Sequence, residues 1–513
     1  MKHKYVQLPQ DEDDDVRPSS SSPRQRRRAT TAMDNRTGVN SDYIAPSISP
    51  AAPDYIPPDT SDDGHRVNIP SDQDWGSRRM RFPLKSDETW GSKNTANGMR
   101  SLYVKKSRFT CIGWWVLGIL IFMLVVTVTA LIFKRDSLYT ALLRKQGIPP
   151  GLYSRDGLLY VGKDTQFRIK GFSWYGFEEP SHVPGGMLRT SARSIFEFAN
   201  EHSFNAIRVP LSVENIVANS LPSGGITPFQ NPELTGLPYM DMVLALVRMA
   251  SEYNILILLD VHRLESHEIQ SKGFWYSDAI PEERLFLVWQ KLCDTFKDEW
   301  NVMGADLFNE PWDSLWNTTD KKADWKRASE QLGNKLHEKC PSWLLFIEGV
   351  GSRAGGTETN TFWSENLAAM QNAPPEVHLQ NKVALSPHVY GPGVHVQSYF
   401  KLPEFPDNMP KIWDHHFGRA SERTGLATVV GEWGGVYVDQ DKVWQQEFAE
   451  YVLKKKIGFF YWCLNPESGD TGGLLKSDWK TPEREKLKLL ERMPSTSVED
   501  NAVHFKYWRW WRT

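Results

Sequence analysis

Two glutamates, each set in a short polar stretch at the end of an apolar run, are the residues best suited to chemistry in this chain. Glu310 stands in DLFNEPW (306–312), where it follows the amide of Asn309 and precedes a proline. Glu432 stands much further along, in GEWGG (431–435). One carboxyl group seldom performs a reaction alone, whereas a pair can act as proton donor and nucleophile. The fold must therefore bring these two residues together if they are to act.

Eight short apolar runs, separated by helical patterns, follow one another after about residue 150. Such alternation predicts an α/β fold with a parallel sheet, and eight units over the remaining chain fit a closed (β/α)8 barrel. The alternative, an open doubly wound sheet, would want a Gly-rich phosphate turn after an early strand, and none is visible. The predicted strands are 167–174, 205–211, 255–260, 302–308, 343–349, 382–389, 427–433 and 458–464, and the clearest helices are 241–253, 281–300, 323–340 and 441–456.

The carboxyl ends of barrel strands meet at one mouth, so we ask which side chains the predicted strands deliver there. Taken singly, these side chains have ordinary explanations: an arginine in an ion pair, a hydrogen-bonded histidine, a tryptophan in the core. Their joint occurrence at strand ends favours a functional site instead. The set is Arg208, His262, Asn309, Glu310, His388, Tyr390, Glu432 and Trp462.

Two carboxyl groups facing each other across a mouth suit hydrolysis of a glycosidic bond. One protonates the leaving oxygen while the other attacks the anomeric carbon, and retaining enzymes hold them roughly 5–5.5 Å apart. Burial and a nearby like charge keep the acid protonated, whereas an arginine keeps the nucleophile ionised. These considerations predict Glu310 as the acid, Arg208 as the partner of the nucleophile, and Asn309 as a hydrogen-bond donor to a sugar hydroxyl.

Tryptophan is abundant, with 21 residues in the chain. Sugar rings pack their C–H faces on indoles, so part of this supply is predicted to line a groove and the rest to fill the core. The tryptophans placed in the substrate-binding set, besides Trp462, are Trp174, Trp275, Trp312 and Trp363.

The four cysteines lack a metal-binding spacing such as C-x-x-C, and no metal site is predicted. A disulfide between Cys293 and Cys340 is conceivable outside the cytosol, but the sequence leaves it open. The net charge of −3 gives no indication of a nucleic-acid partner.

Residues 111–133 form an uncharged apolar run long enough to cross a bilayer as a signal-anchor helix. The polar segment 1–110 before it is predicted to be a disordered cytoplasmic tail, and 134–150 a linker. The hydrolase domain is predicted over 151–495 and a basic aromatic tail over 496–513. Lys and Arg are nearly balanced across the span, so the orientation rests on the chemistry and on a weak glycosylation sequon at Asn317.

Several motifs, in order over residues 165–480, give the chain a resemblance to a known family. GFSWYGFE, NAIRVPLS, LLDVHR, GADLFNEPW, SPHVYGP, GEWGG and YWCLNPESGDTGGLL resemble those of glycoside hydrolase family 5, the cellulase family of retaining (β/α)8 enzymes, and in particular its bacterial-type endoglucanases. The resemblance implies a β-linked polysaccharide or oligosaccharide substrate and no metal or organic cofactor. It also implies that Glu310 is the acid/base, that Glu432 is the nucleophile hydrogen-bonded by Tyr390, and that Trp462 stacks on the sugar being cleaved.

Other functions remain open at this stage. A related hydrolase could act on β-1,3-glucan, mannan or a glycosphingolipid, and an inactive glycan-binding receptor could keep the same groove. An anchored enzyme suits remodelling of nearby glycans, so the expected location is extracellular or lumenal, at the plasma membrane or along the secretory pathway.

Overall fold

A computed structural model of the chain describes residues 108–268 and 272–506. The predicted tail 1–110 therefore lies almost wholly outside the described residues, as do the last seven residues of the chain. The first element is helix α1 (Arg108–Lys145), which contains a window, Gly113–Leu131, with a mean hydropathy of 2.4 and no buried side chain. By length and composition this helix can cross a membrane. It continues through most of the segment predicted as a linker.

A small antiparallel sheet opens the compact part of the chain. Its strands are β1 (Leu152–Arg155), β2 (Leu158–Val161) and β3 (Thr165–Gln166), in that order.

Eight parallel strands then close into a barrel, because each pairs with the next along the chain and the last pairs with the first. Every predicted strand overlaps one of them, although β5 and β6 extend past the predicted ends at 211 and 260, and the prediction of a (β/α)8 barrel is confirmed. The strands are β4 (Lys170–Ser173), β5 (Ala206–Ser212), β6 (Leu256–Arg263), β7 (Val302–Asp306), β8 (Leu344–Glu348), β9 (Val383–Ser386), β10 (Ala427–Trp433) and β11 (Gly458–Tyr461).

Helices surround the barrel, and three of them begin at a side chain, Ser191, Ser212 or Asp324, that accepts a hydrogen bond from the first turn. Between β8 and β9 the structure has three short 3₁₀ turns where a regular repeat would place an α-helix. A π-helical turn, Asp414–Gly418, precedes α8. The remaining helices are α2 (Ala192–Glu201), α3 (Val213–Ala218), α4 (Tyr239–Glu252), α5 (Glu282–Phe296), α6 (Trp325–Lys339), α7 (Met409–Trp413), α8 (Ala420–Thr424), α9 (Asp439–Lys455), α10 (Arg484–Leu490) and α11 (Ala502–Lys506).

Strand alternation explains how the barrel holds both a core and a polar mouth. On β6, Ile257 and Leu259 belong to the cluster packed against the outer helices, whereas Leu256 and Leu258 belong to the cluster inside the barrel. The next inward position is Asp260, which is fully buried among charged groups. Because successive side chains point to opposite faces, one strand supplies the helix interface, the barrel core and the mouth.

The amino-terminal end of the barrel is tied to the segment that follows α1. Lys382, which immediately precedes β9, donates hydrogen bonds to the carbonyl oxygens of Pro150, Leu152 (2.6 Å) and Ser342 (3.1 Å). Burial lowers the pKa of Lys382 to about 7. These bonds fix the point at which the chain enters the domain.

The folded unit extends beyond residue 495, the predicted boundary of the domain. Val498 and Phe505 are buried in the cluster inside the barrel, and the Phe505 ring packs edge-on against Phe167 at 5.7 Å. The described part of the predicted basic aromatic tail, to Lys506, is therefore packed on the domain.

A disulfide joins two neighbouring outer helices. Cys293 lies on α5 and Cys340 follows the last turn of α6, with their Cα atoms 6.2 Å apart. This pairing could not be predicted from the sequence patterns, because it depends on how α5 and α6 are placed relative to each other.

We expect Cys293→Ala/Cys340→Ala to lower the free energy of unfolding by about 2–4 kcal/mol, since the bond removes conformational freedom from the unfolded chain. The measurement is thermal or denaturant unfolding of the protein in detergent, for wild type with and without reductant and for the double variant. Hydrolytic activity at low temperature should not change. Identical unfolding curves for oxidised and reduced wild type would contradict the expectation.

Candidate active site

A buried arginine lies at the centre of the mouth. The Arg208 guanidinium, from β5, is fully buried, and burial alone would disfavour its charge. The surrounding carboxylates outweigh that cost and hold the pKa of Arg208 well above its usual value. Its hydrogen-bond acceptors are Glu432 Oε1 at 2.5 Å, Asp306 Oδ2 at 2.9 Å, Asn309 Oδ1 at 2.9 Å and Glu348 Oε1 at 3.3 Å, and Asp260 Oδ2 forms an ion pair with it at 3.1 Å.

His388 is a second cationic group in the same cluster. Its Nε2 lies 3.1 Å from Glu348 Oε1, and its Nδ1 lies 3.2 Å from Glu310 Oε1 and 3.5 Å from Glu432 Oε2. Burial opposes protonation of the imidazole, but the neighbouring carboxylates prevail and raise the pKa of His388 well above its usual value. His388 therefore lies between the two glutamates as a positive charge.

Glu432 receives a strong donor on each oxygen. Arg208 Nη1 donates to Oε1, and the Tyr390 hydroxyl donates to Oε2 at 2.5 Å. A cationic donor and a phenol together fix the orientation of this carboxyl group.

Glu310 has a different environment. Its backbone lies in the left-handed region (φ 48°), which a residue with a side chain adopts at a cost, and its N–H donates to Glu348 Oε2 at 2.8 Å. Burial raises the pKa of the Glu310 carboxyl to about 7, with Glu432 adding to the effect and the hydrogen bond to His388 opposing it. This carboxyl can therefore hold a proton near neutral pH.

The two carboxyl groups face each other closely. One oxygen of Glu310, one oxygen of Glu432 and one ring nitrogen of His388 all lie within 4.8 Å of one another. That separation suits a direct attack by one carboxylate, whereas an intervening water would require roughly 6.5–9.5 Å.

An aromatic stack forms one wall of the mouth. The Trp462 ring lies parallel to His262 (5.4 Å between centroids, 4°) and to Tyr175 (5.6 Å, 12°). Burial lowers the pKa of His262 well below its usual value, so the ring is neutral and its Nδ1 bonds Asp260 Oδ2 at 2.7 Å. Trp462 is half-buried, which leaves part of the indole open to the mouth.

The structure brings together all eight residues predicted at the strand ends. Among them, Asn309 has its Oδ1 engaged by Arg208, which orients the amide so that Nδ2 is the donor available to a ligand.

The additional tryptophans divide into two pairs. Trp312 and Trp363 are half-buried in loops that follow β7 and β8. The prediction is wrong for Trp174 and Trp275, which are 1% and 0% exposed and therefore offer no free ring face. Their indole N–H groups bond Gly185 O and Glu282 Oε1, and their rings pack against Phe196 and Trp325 respectively.

Three acidic residues of the site were missed in the sequence. Asp260, Asp306 and Glu348 are fully buried around Arg208. Each ends an otherwise apolar run, ILILLD, VMGAD and LLFIE, and a charge in that position requires a buried partner. That requirement is the signal that would have found them.

A (β/α)8 barrel with paired carboxyl groups at its mouth defines the architecture of a glycoside hydrolase. Residues 164–468 match the family model described as cellulase (glycosyl hydrolase family 5), and the chain belongs to this family. The barrel is accordingly a glycoside hydrolase catalytic domain of the cellulase type.

Characterised relatives agree with this assignment. The chain is 36% identical over 361 residues to an endoglucanase of Paenibacillus polymyxa, covering 69% of this chain and 90% of that protein. It is 32% identical to the major extracellular endoglucanase of Xanthomonas campestris, covering 66% of this chain and 69% of that protein.

Among solved structures, the endocellulase of Pyrococcus horikoshii is similar, with 33% identity, a TM-score of 0.63 and coverage of 67% of this chain and 98% of that one. That endocellulase has been solved with cellotetraose as two glutamate-to-alanine variants and one tyrosine-to-phenylalanine variant.

The raised pKa of Glu310 predicts a pH-dependent effect of Glu310→Gln on stability. The folded-state pKa of about 7 lies above the ordinary 4.5, so the carboxyl stabilises the fold at low pH and loses this contribution as the pH rises through 7. Between pH 4.5 and pH 8, the free energy of unfolding of the variant should therefore rise by about 3 kcal/mol relative to that of the wild type. The measurement is unfolding at both pH values.

The matched control is Glu197→Gln on the exposed face of α2, for which no such gain is expected. An equal effect of Glu310→Gln at both pH values would show that the carboxyl titrates normally.

Proposed function

We propose that this protein is a membrane-anchored, retaining endo-β-1,4-glucanase in which Glu310 is the acid/base and Glu432 the nucleophile. The observation that carries the proposal is the contrast between two carboxyl groups within 4.8 Å of each other. One accepts hydrogen bonds from a guanidinium and a phenol, and the pKa of the other is raised to about 7 by burial.

In the first step, a Glu432 oxygen attacks the anomeric carbon while the Glu310 proton passes to the departing glycosidic oxygen. The bond from carbon to that oxygen breaks, and a glycosyl ester of Glu432 forms. In the second step, the ionised Glu310 takes a proton from water, whose oxygen attacks the same carbon and releases Glu432. Two inversions at one carbon give net retention.

The surrounding groups have supporting roles in this mechanism. Arg208 and Tyr390 donate hydrogen bonds to the nucleophile and align it, and His388 supplies positive charge between the two carboxyl groups. Asn309 Nδ2 donates to a hydroxyl of the reacting sugar, and the open part of Trp462 packs on the sugar ring.

A β-1,4-linked glucan is the substrate class best supported by the relatives. The similar endocellulase binds cellotetraose, and the similar bacterial proteins are endoglucanases. The half-buried Trp312 and Trp363 supply further ring faces for a chain of sugars.

Two alternatives predict different results in one assay. The first is a related hydrolase that acts on β-1,3-glucan, mannan or a glycosphingolipid. The second is an inactive glycan-binding receptor. Product analysis of the wild type on β-1,4-glucan, β-1,3-glucan, mannan and a glycosphingolipid distinguishes the hydrolases. Hydrolysis of none would favour the receptor.

The anchor is α1, whose apolar window is exposed throughout. We place the barrel outside the cytosol for two reasons. The Cys293–Cys340 disulfide is typical of an oxidising compartment, and the sequon residue Asn317 is exposed on the surface of the barrel domain.

For the catalytic roles, Glu432→Ala should lose turnover on cellooligosaccharides, because no group remains to form the ester. Azide should restore part of the rate on an activated aryl cellobioside, since the small anion fits the space left by the carboxylate and gives a product of inverted configuration. Product configuration is measured by NMR.

Glu310→Ala should behave differently. It should keep most of its rate on a substrate whose leaving group needs no proton, whereas its rate on cellooligosaccharides should fall about 10²–10⁴-fold. If Glu432→Ala kept ordinary rates without azide, the roles would be wrong.

The orientation predicts which of two sequons carries a glycan. Asn317-Thr318-Thr319 lies in the barrel domain and Asn35-Arg36-Thr37 in the segment before α1. In a eukaryotic host, Asn317→Gln should abolish the mobility shift caused by deglycosylation, whereas the matched Asn35→Gln should not. In sealed vesicles whose cytosolic face points outward, added protease should remove the N-terminal segment and leave the barrel intact. The reverse pattern would place the barrel in the cytosol.

A further inference from the structure

The loop between β8 and β9 carries Trp363 without a regular helix to support it. Three short 3₁₀ turns take the place of that helix, so other contacts must fix the shape of the loop. The half-buried Trp363 packs near the His395 ring, with 6.5 Å between centroids. The neighbouring Phe362 ring packs on Tyr390 at 6.1 Å, and Tyr390 donates to Glu432. The loop therefore reaches the group that orients the proposed nucleophile.

A tight turn from Phe362 to Glu365 holds Trp363. Glu365 N donates to Phe362 O at 3.3 Å, and Phe362 N donates to Glu365 Oε2 at 2.9 Å. Both backbone polar groups of Phe362 are thus bonded to one residue, and Trp363 is the first residue between the two. The direction of the Trp363 side chain therefore depends on Glu365.

A buried histidine outside the loop fixes Glu365 in turn. His416 belongs to the π-helical turn Asp414–Gly418 and is 0% exposed, and Glu365 is 1% exposed. His416 Nδ1 lies 2.8 Å from Glu365 Oε1, and its Nε2 is hydrogen-bonded to Thr359 Oγ1 at 2.6 Å. His416 O accepts a bond from Leu367 N at 2.9 Å. Because a buried carboxyl group requires a polar partner, His416 fixes the loop on both sides of the turn.

We propose that Glu365 and His416 are positioning residues for a long glucan, which hold the turn so that Trp363 packs on sugars beyond the unit that is cleaved. This inference rests on the proposed function. It adds to that function a determinant of chain-length preference.

The order of the strands separates Trp363 from Trp462. Trp363 follows β8 and Trp462 follows β11, and the strands that lead to Tyr390 and Glu432, β9 and β10, lie between them in the closed barrel. A sugar chain that contacts both tryptophans therefore passes the proposed nucleophile. Cellopentaose has enough sugars for such a path, whereas an aryl cellobioside has only two. Changes that act through Trp363 should thus affect the longer substrate most.

The test compares Glu365→Ala with the wild type as full chains in detergent, on cellopentaose and on an activated aryl cellobioside. Loss of the carboxyl group frees the turn, so KM for cellopentaose should rise about 5–10-fold, while kcat on the aryl cellobioside should stay within about twofold. The Kd for cellopentaose, measured by calorimetry in the Glu432→Ala background, should rise by the same factor.

Milder variants separate positioning from stability. Thr359→Val removes the hydrogen bond to His416 at nearly constant volume and should raise KM for cellopentaose about 2–3-fold, whereas Thr359→Ser keeps the hydroxyl and should behave as the wild type. The matched control is His337→Ala, which removes another buried histidine whose Nε2 donates to Trp343 O at 3.2 Å. It should lower the midpoint of thermal unfolding and leave both KM values unchanged. If Glu365→Ala does not fold, the two Thr359 variants decide.

Trp363→Ala tests whether the pair acts through this ring. It should raise KM for cellopentaose as much as Glu365→Ala does, and the double variant should match Trp363→Ala, because both changes remove the same contact. Additive effects would overturn the proposal, as would an unchanged KM in Glu365→Ala.

Two further outcomes are distinct. A fall of kcat on both substrates in Glu365→Ala would overturn the proposal, since the pair would then act on Tyr390 through Phe362. If the wild type hydrolysed neither substrate, the proposed function would fail, whereas the effect of Glu365→Ala on the Kd for cellopentaose would still decide the positioning role.

Discussion

The site depends on the burial of one guanidinium. Placing Arg208 out of water costs several kcal/mol, which is recovered only if carboxylates complete its environment. Asp260, Asp306, Glu348 and Glu432 provide that environment from β6, β7, β8 and β10, so one side chain links distant parts of the barrel. A network of this kind specifies the relative positions of the strand ends, because a shift of any one of them would leave a charge unpaired.

The same cluster gives two chemically identical side chains different properties. Both Glu310 and Glu432 are buried near His388, and Glu432 accepts hydrogen bonds from Arg208 and Tyr390. Glu310 is instead held through its backbone, by the N–H bond to Glu348, which leaves its carboxyl dominated by burial. The proposed acid and the proposed nucleophile thus have different hydrogen-bond donors around their carboxyl groups, and the strained backbone at Glu310 is part of that difference.

Sequence patterns predicted the strands well because each buried strand is a short, nearly continuous apolar run. They predicted the polar mouth because Glu310 follows such a run and because His388 and Glu432 lie near the carboxyl ends of two others. They did not predict the direction of each side chain: Trp174 directly follows β4, yet its ring packs into the core. Asp260 was overlooked because it ends a run, 255–260, that was interpreted only as strand. The Cys293–Cys340 pairing depends on helix packing that no local pattern encodes.

The two ends of the barrel constrain which substrate an anchored enzyme can reach. The chain enters at Gly151, beside the carbonyl oxygens that Lys382 bonds, whereas Glu310 and Glu432 lie at the opposite, carboxyl ends of the strands. A glycosphingolipid presents its glycosidic bonds within a short distance of the headgroup plane, beside the entry end. A polysaccharide extends well beyond that plane and can meet the mouth without distortion of the membrane or the protein. For the anchored enzyme proposed above, this arrangement favours a polymer over a lipid-linked sugar among the candidate substrates.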